Sequence, residues 1–503
     1  MPVTWYVNLP TTPGEHWGPE VPLKVTRSRV TFYNDDRTVT WTCDPDHNNL
    51  NTVAAAASFT IGDHPGTQQS STSEVAHTRD FSNRLTLPPY GLESYTVTAE
   101  RSDKQNASLD KQFDIRRKLY YILNYMNNEG KQLYASLHDD LHRIFDDVGI
   151  ELVRVARQRI PNDQFVSNLE PLVKTRPAIP QDKLGFIMRL ALINSACMEA
   201  PMEVEIPLVD GHGQQVLNAD TVVQQNGTWK LTLHLPPQPN VPPHRQNRLR
   251  PDSASSVKVS CYTSLEYNIR NNAFTKNAKD VTHTFRRIDD QTAEITITGN
   301  DNQTLTDLAQ RYAAKVRDDP FDRTLFSGQP NNFPAKLHVG VRLVPVRPLG
   351  GFSSGANIAL TQDMSPYYPN GTRQRKAAAL CRVFAHEISH SIGMVAQNMT
   401  WNGVQQAHGN HYTDDHGGKG PHCHRNATLH ANTINAAGDF HNPNNLNCHQ
   451  VYTPDNGQIC IMFHQRTAYL HGLEFCNQCQ AFMRAQDLCK ANLEQIRSWS
   501  RVY

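Results

Sequence analysis

One five-residue run, His386-Glu387-Ile388-Ser389-His390, limits the fold of this chain more than any other stretch. Its histidines are four residues apart, a spacing that stacks them on one face of an α-helix, one turn above the other. The flanking sequence supplies that helix. Leu380, Phe384, Ile388 and Ile392 recur at helical spacing between Gln374 and Ile392, and Gly393 offers a stop. Imidazoles presented this way can both reach one zinc ion, at about 2.0–2.1 Å each. Glu387 then points at a water held by that ion and can take its proton. Zinc lowers the pKa of such a water to about 7, which gives a nucleophile at neutral pH.

Further metal-ligating residues crowd the same end of the chain. Seven of the 10 cysteines, Cys381, Cys423, Cys448, Cys460, Cys476, Cys479 and Cys489, follow residue 380, and 12 of the 23 histidines lie between His386 and His471. The N-terminal sequence MPVTWYVNLP has neither a basic nor an apolar leader region. The expectation is synthesis in the cytosol, with any export by a route that reads no cleavable signal. In that setting a Cys/His cluster reads as metal binding before it reads as a disulfide framework.

Length and charge set the remaining bounds. With 503 residues the chain can build about two to four domains with ordinary cores. Its 49 basic and 48 acidic residues leave a formal charge of +1, which argues against nucleic acid or an anionic membrane as the main partner. No apolar run reaches the roughly 18 residues of a membrane-spanning helix.

The expected fold class is α+β in several domains, divided at 1–105, 113–335 and 336–503. Residues 20–100 alternate in short strands, among them Arg29–Tyr33, Thr38–Cys43 and Tyr95–Ala99, separated by Asn, Asp, Gly and Pro clusters. The segment Tyr90-Gly91-Leu92-Glu93-Ser94-Tyr95-Thr96-Val97 resembles the last strands of immunoglobulin-like sandwiches. Val97 stands where such a domain carries its second cysteine, so no inter-sheet disulfide is expected. The polar stretch Arg101–Lys111 reads as a linker. Lys118–Leu123 then suits a buried strand. Leu133, Leu137, Leu141, Ile144, Phe145 and Val148 mark one helical face, Gly149 a stop, and Ile150–Val155 a second strand, a mixed α/β pattern. Residues 160–335 read as a mixed insertion. It holds a hairpin around Asn226-Gly227, a Pro-rich loop at Pro236–Ser256 and a helix at Thr304–Val316. His338–Val346 reads as a strand, Gly350–Gly355 as a flexible turn, and Gln480–Trp499 as an amphipathic helix.

Ser391-Ile392-Gly393 extends the histidine run to HExxHxxG. This resembles the metzincin clan of zinc peptidases, where the Gly turns the chain toward a third ligand three residues later. Here that position is Ala396, which cannot bind metal. Downstream come Gly420-Pro421-His422-Cys423, Cys460-Ile461-Met462 and Cys476-Asn477-Gln478-Cys479. The series His-Cys, Cys-x-Met, Cys-x-x-Cys resembles the archaemetzincin family. The resemblance implies that His422 is the third catalytic ligand and that Met462 lies in a Met-turn beneath the metal. It also implies that Cys423, Cys460, Cys476 and Cys479 hold a second, structural zinc. Four thiolates at about 2.3 Å form a closed tetrahedral shell, which gives that assignment physical sense. The plainer alternative is reduced core cysteines.

His416, His411, Asp414 and Asp415 remain open as third ligands. A design with a glutamate ligand on a later helix would need Glu474 or Glu494. His424, His430, His441, His449, His464 and His471 read as surface or packing residues. Tyr412, Tyr452 and Tyr469 are open as oxyanion stabilisers, and nothing selects among them.

Together these residues point to a zinc-dependent metallopeptidase with Glu387 as general base and a protein or peptide substrate. The rival readings are a zinc amidase acting on cell-wall or other non-peptide amides, and a binding protein whose zinc is only architectural. The layout also resembles bacterial metallopeptidase effectors delivered by contractile secretion systems. That implies export through a dedicated machine, with a delivery protein as partner.

Overall fold

The computed structural model describes residues 3–9, 20–26, 38–45, 60–61, 64–65, 68–72, 80–87, 93–101, 108–173, 186–207, 222–225, 228–239, 241, 243, 246–250, 257–263, 266–268, 273–275, 279–280, 282–297, 337–354, 356–363, 373–394, 411–413, 420–425, 427–429, 452–454, 459–463, 474–489 and 493. The protein is mixed α+β, mostly strands, with three helices among the described residues: α1 (Asn128–Asp146), α2 (Arg373–Ser391) and α3 (Asn477–Ala485). None of them is long and apolar enough to cross a membrane. The chain divides into two units, one of residues 1–196 with 350–503 and one of residues 197–349.

The first unit is organised by one 18-residue strand, Ser108–Tyr125. Its first half pairs antiparallel with Glu93–Arg101 and parallel with Val3–Tyr6. Its second half pairs parallel with Ile150–Arg159 and with Ile187–Ile193. The burial pattern changes along the strand, alternating from Phe113 and then becoming continuous from Leu119 to Asn124. That is the difference between a sheet covered on one face and one covered on both. The stretch read as a linker is strand at Arg101 and again from Ser108, because the strands on either side of residues 102–107 pair antiparallel with each other.

On the N-terminal side, Thr38–Pro45 pairs with Glu93–Arg101 and with Gln68–Thr72. A separate antiparallel sheet joins Glu20–Thr26, Asp80–Thr86 and Thr60–Ile61. Both sheets supply one buried cluster, including Trp5, Val21, Leu23, Trp41, Leu85, Tyr95 and Phe113. Cys43 stands opposite Val97 in register, so no second cysteine faces it there. The strand expected at Arg29–Tyr33 lies outside the described residues.

On the other side, α1 connects Ser108–Tyr125 to Ile150–Arg159, the right length of crossover for two parallel strands. The Asn127 side chain accepts the Gly130 N–H at 2.9 Å as N-cap, and Gly149 beyond the helix has φ 73°. The sheet continues through Ile187–Ile193 to Asn357–Thr361 and ends at Gly351–Ser354, an antiparallel edge. That edge is a strand and not the turn expected there. Gly351 to Ser354 pair residue for residue with Leu360 to Asn357, and Phe352 is buried. Leu133, Leu137, Leu141, Ile144 and Phe145 of α1, and Leu380, Phe384 and Ile388 of α2, share one core with these strands.

In the second unit, Val222–Gln225 pairs antiparallel with Thr228–His234, and Gln225 opposite Thr228 brackets Asn226-Gly227. Thr228–His234 continues to Thr292–Ile297, whose alternate residues Ala293, Ile295 and Ile297 are fully buried. A further antiparallel sheet joins Met202–Pro207, Leu337–Leu343 and Lys258–Thr263. The helix expected at Thr304–Val316 lies outside the described residues.

Candidate metal centres

The helix carrying the histidine run is α2, and it ends as its sequence requires. The Met394 N–H returns to the Ser389 carbonyl and the Gly393 N–H to the His390 carbonyl, each at 3.0 Å. Gly393 has φ 97°, a conformation that costs glycine little and side-chain-bearing residues more. His386 and His390 project from one face, with Nε2 atoms 3.0 Å apart. The third imidazole is that of His422, whose ring centroid is 5.4 Å from His386 and 5.7 Å from His390. One ring nitrogen from each of the three lies within 4.8 Å of the others, a group that can hold a metal ion.

The chemistry of these donors fits a divalent metal. His386 Nδ1 lies 2.9 Å from the Ile461 carbonyl oxygen, which can only accept, so Nδ1 carries the proton and Nε2 presents its lone pair to the other rings. Burial, followed by the neighbouring His390 and His422, holds His386 well below the usual histidine range. Burial and the His422 ring take His390 down to about 3. Both rings are therefore neutral at pH 7, the form that ligates metal.

Glu387 faces the sheet edge. Burial raises its pKa to about 7, while a hydrogen bond from the Ser353 hydroxyl and the nearby His422 pull the other way. Ser353 sits on the edge strand Gly351–Ser354. The carboxyl group therefore titrates where a general base working near neutrality should.

A second cluster lies beside the first, and the chain alternation builds both at once. Tyr412–Thr413 pairs with His422–Cys423, Thr413 opposite His422 and Tyr412 opposite Cys423. Successive strand residues point to opposite faces, so His422 joins the histidines while Cys423 joins the cysteines. Cys423 Sγ is 3.7 Å from Cys476 Sγ, and Cys460 Sγ accepts the Cys476 N–H at 3.3 Å. Cys476 is the N-cap of α3 and Cys479 lies in its first turn, where the helix dipole favours thiolates. The neighbouring thiols push Cys476 down. Cys423 is pushed up by its thiol neighbours and Cys479 by burial.

His411 belongs to this second cluster. Its Nε2 is 3.4 Å from Cys479 Sγ, and His411, Cys423, Cys476 and Cys479 form the other described group that can hold a metal ion. The histidine weighed as a third catalytic ligand is thus placed among the thiols. Tyr412, weighed as an oxyanion stabiliser, donates its hydroxyl to Cys479 Sγ at 3.3 Å. Glu474 is exposed and enters neither group. His424 is buried against Phe463, their ring centroids 5.3 Å apart. Cys489 is half-buried, and burial and Asp487 push its thiol up to about 12. Asp414, Asp415, His416, His430, His441, Cys448, His449, His464, Tyr469, His471 and Glu494 lie outside the described residues, as does the side chain of Tyr452.

The turn Cys460–Phe463 joins the two clusters. Its Ile461 carbonyl orients His386, and its fully buried Met462 offers a carbonyl to the Cys423 N–H at 3.0 Å. Arg382, buried one helical turn before His386, donates to the carbonyls of Cys460 and, at 3.5 Å, Ile459. Sequence reading passed over Arg382 and Ser353. The signal for Arg382 was an arginine four residues before His386, and the small residues around Ser353 carried none.

No protein-family model matches the chain, and no curated protein matches it.

Proposed function

We propose that this protein is a zinc-dependent metallopeptidase that hydrolyses protein or peptide amide bonds at the centre formed by His386, Glu387, His390 and His422. The observation that carries the reading is the convergence of three imidazoles beside a carboxyl group held by a sheet-edge serine. His386, His390 and His422 would hold the zinc. When bound, the ion would polarise the scissile carbonyl and acidify water. Glu387 takes the proton from the attacking water and passes it to the leaving nitrogen. Ser353 keeps the carboxylate aimed at that proton. The edge strand Gly351–Ser354 offers backbone groups with which an extended peptide can pair. Cys423, Cys476 and Cys479 would hold a second, structural ion, with both Cys460 and His411 close enough to complete its shell.

The finer fold follows the same reading. Two antiparallel sheets around one apolar cluster support an immunoglobulin-like sandwich in the N-terminal region. A mixed sheet with an antiparallel edge beside the histidine helix supports a zincin-like catalytic domain, resembling the archaemetzincins. Delivery by a secretion machine, with a delivery protein as partner, rests on the order of these parts.

The test is hydrolysis of a protein and a mixed peptide library by purified holo-protein, beside the Glu387→Gln variant and a peptidoglycan substrate. Cleavage of peptides by the parent alone, at equal zinc content, supports the proposal. Equal behaviour of parent and variant on every substrate overturns it, and turnover confined to peptidoglycan replaces it with an amidase.

A further inference from the structure

Two of the three histidines of the first centre are fixed by residues that neighbour cysteines of the second. His422 precedes Cys423 in the short ladder with Tyr412–Thr413, and the two point to opposite faces. Ile461, whose carbonyl oxygen lies 2.9 Å from His386 Nδ1, follows Cys460. The Cys460 thiol lies against those of Cys423, Cys476 and Cys479, and its Sγ accepts the Cys476 N–H at 3.3 Å. A third link closes the arrangement, since the Met462 carbonyl accepts the Cys423 N–H at 3.0 Å. His390 is placed by α2 itself.

We infer that Cys423 and Cys460 are positioning residues of the histidine centre, through His422 and the Ile461 carbonyl, so that the two centres fill with metal cooperatively. The inference deepens the two-ion reading above and rests on it. To bind an ion, the cysteine sulfurs must settle at about 2.3 Å from it and the imidazole nitrogens at about 2.0–2.1 Å. The groups between the centres pass a displacement on. Cys423, Ile461 and Met462 are fully buried and Cys460 nearly so, in an interior packed too densely to absorb it. The turn is tied on both sides: the Phe463 N–H returns to the Cys460 carbonyl and the Ile461 N–H to the Glu474 carbonyl, each at 3.0 Å. Arg382, on the histidine helix, donates to the Cys460 carbonyl as well. The sign of the coupling follows from one backbone arrangement serving both donor sets. Cys423 Sγ and Cys476 Sγ are 3.7 Å apart while one nitrogen from each of His386, His390 and His422 lies within 4.8 Å of the others. The edge of a tetrahedral zinc–thiolate shell is about 3.8 Å, so the cluster stands close to its bound form. Each ion therefore stabilises the arrangement that the other needs, and by linkage each raises the affinity of the other by the same factor.

The experiment is a cobalt(II) titration of metal-free full-length protein, read by absorption. Cobalt on thiolates gives sulfur-to-metal charge-transfer bands that cobalt on imidazoles lacks, so the two centres are followed separately. The double variant Cys476→Ser, Cys479→Ser removes both cluster donors of α3 and leaves the links through Cys423 and Cys460 in place. Its histidine centre is expected to bind cobalt at least about tenfold more weakly than that of the parent. His390→Ala empties the first centre without touching a residue beside a cysteine, and the cluster is expected to weaken by the same factor. Far-UV circular dichroism of the metal-free proteins separates this from a loss of fold, which lowers helix content before cobalt is added. An unchanged affinity at each centre when the other is emptied overturns the inference while the two-ion reading stands. Absence from the parent of either the charge-transfer bands or the histidine bands overturns both. Where the double variant does not fold, His390→Ala decides alone, since the coupling is reciprocal.

Discussion

His386 Nδ1 lies 2.9 Å from the carbonyl oxygen of Ile461, 75 residues further along the chain. The bond fixes one imidazole of the histidine centre from a turn that also faces the cysteine cluster. Arg382 holds that turn from the same helix, through the carbonyls of Ile459 and Cys460. Arg382→Met keeps every ligand but releases the turn. If the histidine centre binds a metal as proposed, the variant is expected to weaken that binding by about 10–100-fold, as loss of an outer-shell partner does. A chelator-competition titration measures this, and an unchanged affinity would show that the turn does not set the ring.

The two ends of this arrangement differed in how readable they were. The histidine pair and its helix stood in the sequence, because four-residue spacing, an apolar stripe and a glycine stop are local signals. The division of His422 and Cys423 between two clusters was expected from the resemblance alone, because the strand alternation that builds it lies in a two-residue ladder too short to show a period. Gly350–Gly355 read as a flexible turn because its small residues carry little pattern. Tertiary pairing with Asn357–Thr361 makes it a strand and delivers Ser353 to Glu387. Of the helix expected over Gln480–Trp499, α3 covers the part up to Ala485, and residues 490–492 and 494–499 lie outside the described residues. Gln486 leaves helical geometry with ψ 128°, and Asp487 caps the Cys489 N–H with its own side chain at 2.8 Å.

The edge strand is packed too closely to accept a side chain at Gly351. A Cβ there would lie 2.3 Å from Leu360 Cδ2, 3.0 Å from the Ala359 carbonyl oxygen and 3.4 Å from Val383 Cγ1 of α2. Gly351→Ala must displace the buried Leu360 side chain or push the strand outward, at a cost of about 1–3 kcal/mol. Ser353 moves with the strand, so the kcat of the proposed hydrolysis is expected to fall by about tenfold or more. Thermal unfolding and steady-state kinetics read the two effects separately. An unchanged kcat would detach Ser353 from the reaction.

His142 gives the protein a pH dependence of its own. Burial is the main cause that lowers its pKa from 6.5 to about 4, with His138 and Arg154 adding to it and Asp139 and Asp146 opposing. Its ring nitrogen is 3.0 Å from the Tyr121 hydroxyl, a bond that suits the neutral ring. The unfolded chain binds this proton more readily than the native one between the two values. The contribution is therefore complete above about pH 6.5 and is lost as pH falls through 4. Solvent screens this half-buried ring, which brings the expected loss to about 1–2 kcal/mol. Urea unfolding of the parent and of His142→Gln at pH 7 and pH 4.5 should show a steeper fall in the parent. Parallel slopes would assign the effect elsewhere.

Arg117 closes the first unit from within. Its fully buried guanidinium donates to the carbonyls of Met483 and Gln486 at 2.8 and 2.7 Å, where α3 ends, and to Val148 at 2.9 Å, just beyond α1. These carbonyls stand at helix ends, where intrahelical partners run out, and one charged fork on the central strand serves them, with the Met483 carbonyl also accepting the Gln486 N–H at 3.3 Å. Arg117→Met fills the space but strips the donors, each worth about 1–3 kcal/mol when a buried acceptor is left unsatisfied. The expected loss is about 3–5 kcal/mol in denaturant unfolding. Since α3 carries Cys479 and is capped by Cys476, a metal bound at the cysteine cluster should also leave faster than one at the histidine centre in this variant. A loss below about 1 kcal/mol would mean that water or a shifted backbone replaces the arginine, and α3 would then be held by its apolar face alone.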